Sequence, residues 1–143
     1  NKAAPKYNFK EGETYPVKTL SRTYGGFSAG ILGVSYDELS ITYNGESIST
    51  SGFSLGGGLG VETLTKLGGS KMEFHTNMSG NSLLEVFNQT GLITSQKGGA
   101  VISGGVLVGY DSPATMNKLW TAYIFGTGLK GGISSDRSSG VFK

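Results

Sequence analysis

The fold of this chain is decided by an uncharged stretch, Gly26-Phe-Ser-Ala-Gly-Ile-Leu-Gly-Val-Ser-Tyr36. Its residues alternate with a period of two, which is typical of a β-strand. Both parities consist of small or apolar residues. A strand of this kind is buried on both sides, or it faces a core on one side and a partner on the other. We therefore predict a strand from Gly26 to Tyr36.

Alternating segments continue on both sides of a strong turn signal. Leu39 to Tyr43 alternates, Asn44-Gly45 is the dipeptide most typical of a two-residue β-hairpin, and Ser47 to Leu55 follows. Later, the run from Ala100 to Tyr110 is rich in Val and Ile, as a central strand is. The pattern predicts a mainly β fold, an antiparallel meander that forms a small barrel or a sandwich.

One or two short helices are predicted within this β fold, over about residues 81–88 and 113–120. In the first, Leu83, Leu84 and Phe87 have helical spacing behind a Ser/Asn cap. The second begins with Ser112-Pro113, which places an N-cap residue before a proline at the first helical position.

Length and charge indicate one β-rich domain behind a polar arm. The chain has 143 residues and a net charge of +2, and charged residues make up only 15% of it. Residues 1–22 are polar and basic, contain Pro5 and Pro16, and show no clear periodicity, so they are predicted to form a linker or an arm. Residues 23–143 are predicted to form a single domain.

The 25 glycines need a physical reason, because glycine weakens an isolated strand by about 0.5 to 1 kcal/mol relative to alanine. Close backbone packing, β-bulges or a rearrangement on insertion would each supply one.

The titratable residues suggest one catalytic hypothesis. There is no cysteine, and His75 is the only histidine, so we predict no metal site and no cofactor. Lys71 and Glu73 share the parity of His75 on a predicted strand, and together the three groups could cleave RNA by acid–base chemistry without a metal. The competing interpretation is a solvated strand face. We favour a non-enzymatic function, and nucleic acid is a predicted partner only for the nuclease.

Four segments contain no charged residue and suggest contact with a membrane: residues 23–36, 47–61, 98–110 and 119–129. Each exceeds the roughly 9 to 11 residues that a tilted β-strand needs to cross a bilayer. Four strands are too few for a transmembrane barrel, which needs about eight, so a pore would require an oligomer. The alternative is a soluble barrel or sandwich whose glycines allow close packing.

Aromatic residues suggest a third class, a carbohydrate-binding or protein-binding module whose rings stack on a ligand. The candidate binding residues are Tyr24, Tyr36, Tyr43 and Trp120, although the aromatic residues of a small β domain mostly pack inside it.

Two glycine-rich runs, Tyr24-Gly-Gly-Phe-Ser-Ala-Gly and Ser51-Gly-Phe-Ser-Leu-Gly-Gly-Gly, follow a polar segment. In composition this arrangement resembles the glycine-rich C-terminal toxin domains of bacterial polymorphic toxins, particularly the type-23 class. The resemblance spans about residues 23–65 and transfers no site residue. It implies a secreted bacterial effector, excised from a larger protein and neutralised by a cognate immunity protein. We therefore expect a toxin-like domain that acts by binding a membrane or another surface such as a glycan.

Overall fold

The structure, a computed structural model, describes residues 4–29, 32–59, 64–99, 102–127 and 134–142. Within these ranges the chain is mainly β and antiparallel, as predicted. The elements are β1 (Tyr7–Phe9), β2 (Thr14–Ala29), β3 (Leu32–Tyr43), β4 (Glu46–Leu59), β5 (Leu64–Phe74), β6 (Met78–Asn81), α1 (Leu83–Asn88), β7 (Leu92–Gly99), β8 (Ile102–Tyr110), β9 (Lys118–Thr127) and β10 (Ser134–Phe142).

Eight of these strands close into a barrel in the order β10-β4-β3-β2-β5-β9-β8-β7. Closure is made by β10, which pairs with β4 on one side and with β7 on the other. Of the two predicted architectures, the barrel is therefore the one formed. The prediction that a pore would need an oligomer was based on four uncharged segments, and the described barrel contains eight strands of one chain.

The Asn44-Gly45 hairpin is confirmed. Asn44 has φ 52° and Gly45 has φ 83°, so both central residues are in the left-handed region that a type I′ turn requires. The register runs without a shift from Tyr43↔Glu46 to Gly33↔Gly56. This hairpin marks one end of the barrel.

The prediction of one strand from Gly26 to Tyr36 is wrong. The segment contains the end of β2 and the start of β3, which pair through Ala29↔Leu32, while residues 30 and 31 lie outside the described ranges. The stretch contains the ends of two paired strands and is not one strand buried on both faces. This explains why small and apolar residues occur at both parities. Between Tyr24 and Gly26 the register shifts, so Gly25 occupies one of the expected bulges.

The first predicted helix is confirmed as α1. The Ser82 side chain accepts a hydrogen bond from the Glu85 amide at 3.2 Å, which caps the helix. The Glu85 carboxylate forms an ion pair with Lys6.

The second predicted helix, over 113–120, is wrong. One turn forms, with the Thr115 amide bonded to the Ser112 side chain at 3.1 Å, but Met116 then adopts φ 50° and β9 begins at Lys118. Asp111 explains the interruption: its carboxylate accepts bonds from the Ser112 amide and the Thr115 hydroxyl at 2.7 Å and from the Asn117 amide at 2.9 Å. These contacts bend the chain into a closed loop.

The Asp111 loop gives an acid-dependent prediction. Hydrogen bonds from Thr115 and then Asn117 lower the pKa of Asp111 to about 2, from an ordinary 3.8. A depressed pKa contributes stability above the unfolded-state pKa, and this contribution is lost as the pH falls through the folded-state value. We expect the free energy of unfolding to decline between about pH 4 and pH 2, and to decline less in Asp111→Asn. Urea titrations at pH 5 and pH 2.5 measure the difference, and an equal decline in both proteins would contradict it.

The predicted arm over residues 1–22 is corrected too, because its described part belongs to the folded body. β1 pairs with β6, and Phe9 is 1% exposed and stacks on Phe74 with ring centroids 4.5 Å apart. Residues from Thr14 onward form β2, a barrel strand. Two aromatic residues at Tyr7 and Phe9 anchor the segment, whereas its charges and prolines suggested a linker.

The β1–β6 pair and α1 pack at the end of the barrel that carries the Asn44-Gly45 turn. Phe9, Leu83 and Val86 join the same core as the barrel residues Ile41 and Phe74. We call the end of the barrel that carries the Asn44-Gly45 turn the helix end. The opposite end, toward Ala29, Leu32 and Leu59, is called the glycine end.

Candidate functional site

The described part of the inner barrel wall is mainly apolar and contains a few hydroxyl side chains. Its buried apolar side chains include Leu39, Ile41, Met72, Phe74, Trp120, Ala122 and Ile124. Thr19, the buried register partner of Ile41, bonds Ser70 at 2.9 Å, and the Ser70 hydroxyl donates to the Val17 carbonyl at 2.9 Å. Thr50 is also buried, at 8% exposure. The Thr19 and Ser70 hydroxyls therefore pair with each other inside the wall.

The outer wall of β3 and β4 changes from hydroxylic near the turn to aromatic farther along. Near the turn it carries hydroxyl pairs, with Thr42 and Ser47 at 2.6 Å and Ser40 and Ser49 at 2.8 Å. Farther toward the glycine end, Tyr36 and Phe53 lie opposite each other with ring centroids 5.2 Å apart. Phe53 is 71% exposed, the highest value among the exposed large hydrophobic side chains of the described part.

A second exposed apolar pair lies on β8 and β9. Val106 and Tyr123 are register partners, exposed by 36% and 44%. In the circular strand order β3 is four strands from β8, and β4 is four strands from β9. The two pairs therefore lie on opposite sides of the barrel. We call Tyr36, Phe53, Val106 and Tyr123 together the outer belt.

The predicted nuclease residues lie at the helix end. Lys71 and Glu73 are on β5, opposite Tyr123 and Thr121, while His75 follows the last residue of that strand. The His75 ring bonds the Thr121 hydroxyl at 2.6 Å, and its backbone amide donates to the Leu119 carbonyl. Among the described contacts of His75, the ring's partner is this hydroxyl rather than Glu73 or Lys71. Catalysis by these three residues remains a prediction.

The four predicted aromatic binding residues fall in different places. Trp120 is fully buried and donates its ring N–H to Thr90 at 3.0 Å. Tyr43 is half-buried in an aromatic cluster with Tyr7, Phe9 and Tyr15. Tyr36 belongs to the outer belt. Tyr24 pairs with Tyr36 across the strands, and its side chain lies outside the described part.

Sequence reasoning missed Phe53, Val106 and Tyr123. The signal was present in one parity of β4, where Ser47, Ser49 and Ser51 are followed by Phe53 and Leu55. A change from serine to large apolar residues on one face of a strand indicates that the surroundings of that face change.

The fold and outer belt define the class of this domain: an antiparallel eight-stranded barrel, packed at one end, with exposed apolar side chains around its wall. No protein-family model, curated protein or solved structure matches the chain. In the described residues, no group of three His, Asp or Glu side chains is placed to hold a metal ion. No helix within the described ranges has the length and hydropathy to cross a membrane.

Proposed function

We propose that this chain is a toxin-like effector domain that acts by binding a lipid bilayer through its outer belt. The observation that carries the proposal is the exposure of Tyr36, Phe53, Val106 and Tyr123 on the outer wall. Burial of one large apolar side chain contributes about 1.5 to 3 kcal/mol. A few such side chains entering lipid together would give stable attachment.

The arrangement of the belt favours a bilayer over a single protein surface. A protein partner covers one face of a domain of this size, whereas the exposed pairs lie on opposite sides of the barrel. A lipid phase surrounds whatever enters it. Tyrosine also suits the boundary between headgroups and hydrocarbon, because its ring is apolar and its hydroxyl can remain hydrated.

The effector part of the proposal is supported by the resemblance to polymorphic toxin domains in the two glycine-rich runs. On this proposal the domain is a secreted bacterial product excised from a larger protein, and an immunity protein protects the producing cell. Neutralisation would require only that the immunity protein cover part of the belt.

Vesicle flotation tests the proposal. The whole chain, mixed with vesicles of neutral and anionic phospholipid, is expected to rise with the lipid in a density gradient and to release a trapped dye. The double variant Val106→Ser, Tyr123→Ser should float at least tenfold less. Its control is Ser40→Ala, Ser49→Ala, a register pair that also joins β3 and β4 on the outer wall and should float like the unmodified chain.

Two other outcomes would replace the proposal. RNA cleavage without flotation, abolished by His75→Ala, would establish the ribonuclease. Binding to a glycan array without flotation, lost in Tyr36→Ala, would establish a carbohydrate module, for which the exposed Tyr36 and Phe53 rings are the candidate platform.

A further inference from the structure

One side of the outer belt carries lysine side chains beside its apolar ones. Four exposed residues form a row of successive register partners across β8, β9, β5 and β2: Val106, Tyr123, Lys71 and Pro16. Along β5 and β9 the exposed residues alternate with buried Met72 and Ala122. The row therefore lies on the outer wall, where Lys71 is the direct neighbour of Tyr123.

A second lysine lies beside this row. Lys18 is exposed, follows Pro16 by two residues on β2, and has Gly69 of β5 as its register partner. It is therefore the diagonal neighbour of Lys71 on the outer wall, and such neighbours are about 7 to 8 Å apart. Two flexible lysine side chains at this separation can reach one phosphate group. We define the basic face as Val106, Tyr123, Lys71 and Lys18.

The charge of the basic face is not neutralised by any carboxylate in the described part of the chain. Neither the Lys71 nor the Lys18 ammonium group forms an ion pair with a described carboxylate. Glu73 shares the outer parity of Lys71, but it is half-buried and lies two residues closer to the helix end. Neighbouring ammonium groups repel each other, and an anion bound between them offsets this repulsion. The basic face is thus complementary to a phosphate.

The other exposed pair of the belt, Tyr36 and Phe53, has a different charge environment. Glu38 lies two residues from Tyr36 on β3, and its register partner on β2 is Arg22. One acidic and one basic residue occupy these paired positions, so their formal charges balance. Charge complementarity to an anion therefore distinguishes the basic face from the opposite side of the barrel.

We infer that the basic face binds the headgroup phosphates of anionic phospholipids through Lys71 and Lys18, while Val106 and the Tyr123 ring contact the adjoining acyl chains. The inference rests on the proposed membrane binding and adds the class of lipid and the residues that select it. Lysine suits this boundary, because its aliphatic stem lies along apolar surface while its ammonium group stays at headgroup level. Each lysine near an anionic surface strengthens binding about fivefold, so the pair should contribute about 25-fold.

Flotation with two kinds of vesicle tests the inference. The whole chain is mixed either with vesicles of neutral phospholipid or with vesicles in which part of that lipid is replaced by an anionic phospholipid. Binding to the anionic vesicles should be at least tenfold tighter, and added salt should reduce the difference. The double variant Lys18→Gln, Lys71→Gln should lose most of the difference, while its binding to neutral vesicles changes by less than twofold. Circular dichroism of each variant checks that the fold is retained.

The matched control is the double variant Lys10→Gln, Lys118→Gln, which removes the same charge from exposed lysines near the helix end. Lys118 lies five residues from Tyr123 on β9, about 16 Å along the strand. This is about twice the distance over which physiological salt screens a charge. The control should therefore keep the preference for anionic vesicles to within about twofold.

Three results would overturn the inference. Equal binding of the unmodified chain to the two kinds of vesicle would remove the lipid selectivity and leave membrane binding in place. An anionic preference that both double variants reduce equally would show that net charge, rather than the basic face, is its cause. Failure to float with either vesicle would overturn both the inference and the proposed function, and lysine-dependent binding to single-stranded RNA would then make nucleic acid the partner.

Discussion

Gly109→Ala should lower the free energy of unfolding by about 3 kcal/mol, at the upper end of what overpacking costs. Gly109 is the register partner of Trp120, and an added Cβ would overlap the indole ring. The ring cannot easily move, because it is fully buried and its N–H donates to Thr90, whose hydroxyl donates to the Val86 carbonyl at 2.9 Å. Displacing the indole would also break this chain of bonds into α1.

The melting temperature of Gly109→Ala should fall by about 10 °C. Trp120 is the only tryptophan, so its emission should also move to longer wavelength if the ring is pushed toward water. Gly80→Ala is the control: Gly80 has φ +84° and nothing within 4 Å of an added Cβ, so only the backbone strain of about 1 kcal/mol applies. Equal losses in the two variants would contradict the packing argument.

Gly109 also shows what sequence reasoning could and could not supply. The 25 glycines predicted close packing or bulges somewhere in the sheet. Gly109 provides the first and Gly25 the second. The role of each glycine depends on the residue that lies opposite it on the neighbouring strand. Gly109 lies opposite Trp120, and no local sequence pattern predicts the register of β8 against β9.

Local signals succeeded where the cause of the structure is itself local. The Asn44-Gly45 turn and the Ser82 cap depend on residues within a few positions, and both formed as predicted. The Ser112-Pro113 signal failed because Asp111, just before it, binds the donors of three following residues. Closure of the barrel depends on β10, a Ser-rich strand with few apolar residues and therefore with no clear sequence signal.

The candidate site was only partly predictable for a related reason. Uncharged segments predicted either strands that contact a bilayer or a tightly packed soluble barrel, and the exposure of a side chain depends on which parity faces outward. Tyr36 and Tyr43 are both tyrosines on β3, seven residues apart and of opposite parity, so one lies in the outer belt and the other in the core cluster. Without the register, the sequence ranks them equally.

Phe53→Asp should weaken binding to neutral phospholipid vesicles by about 100-fold. Removing the phenyl ring, which would be buried in lipid in the bound state, accounts for about 2 kcal/mol of the loss in binding free energy. If the outer belt enters lipid as proposed, a carboxylate at position 53 costs up to about 1 kcal/mol more near the interface. The sum of about 3 kcal/mol corresponds to roughly two orders of magnitude in the partition constant. Because Phe53 is 71% exposed in the free protein, the fold should be retained, and the melting temperature should change by less than about 2 °C.

Ser49→Asp is the matched control for Phe53→Asp. It adds the same charge to the same face of the same strand, four residues closer to the Asn44-Gly45 turn, where the outer wall carries hydroxyl pairs. Its vesicle binding should change by less than threefold, because the proposed membrane contact is made by the outer belt and not by the hydroxyl pairs. Neutral lipid removes any general repulsion between an added carboxylate and an anionic surface, so the difference between the variants measures position alone. Equal weakening in both would mean that the bilayer does not distinguish the outer belt from the hydroxylic wall.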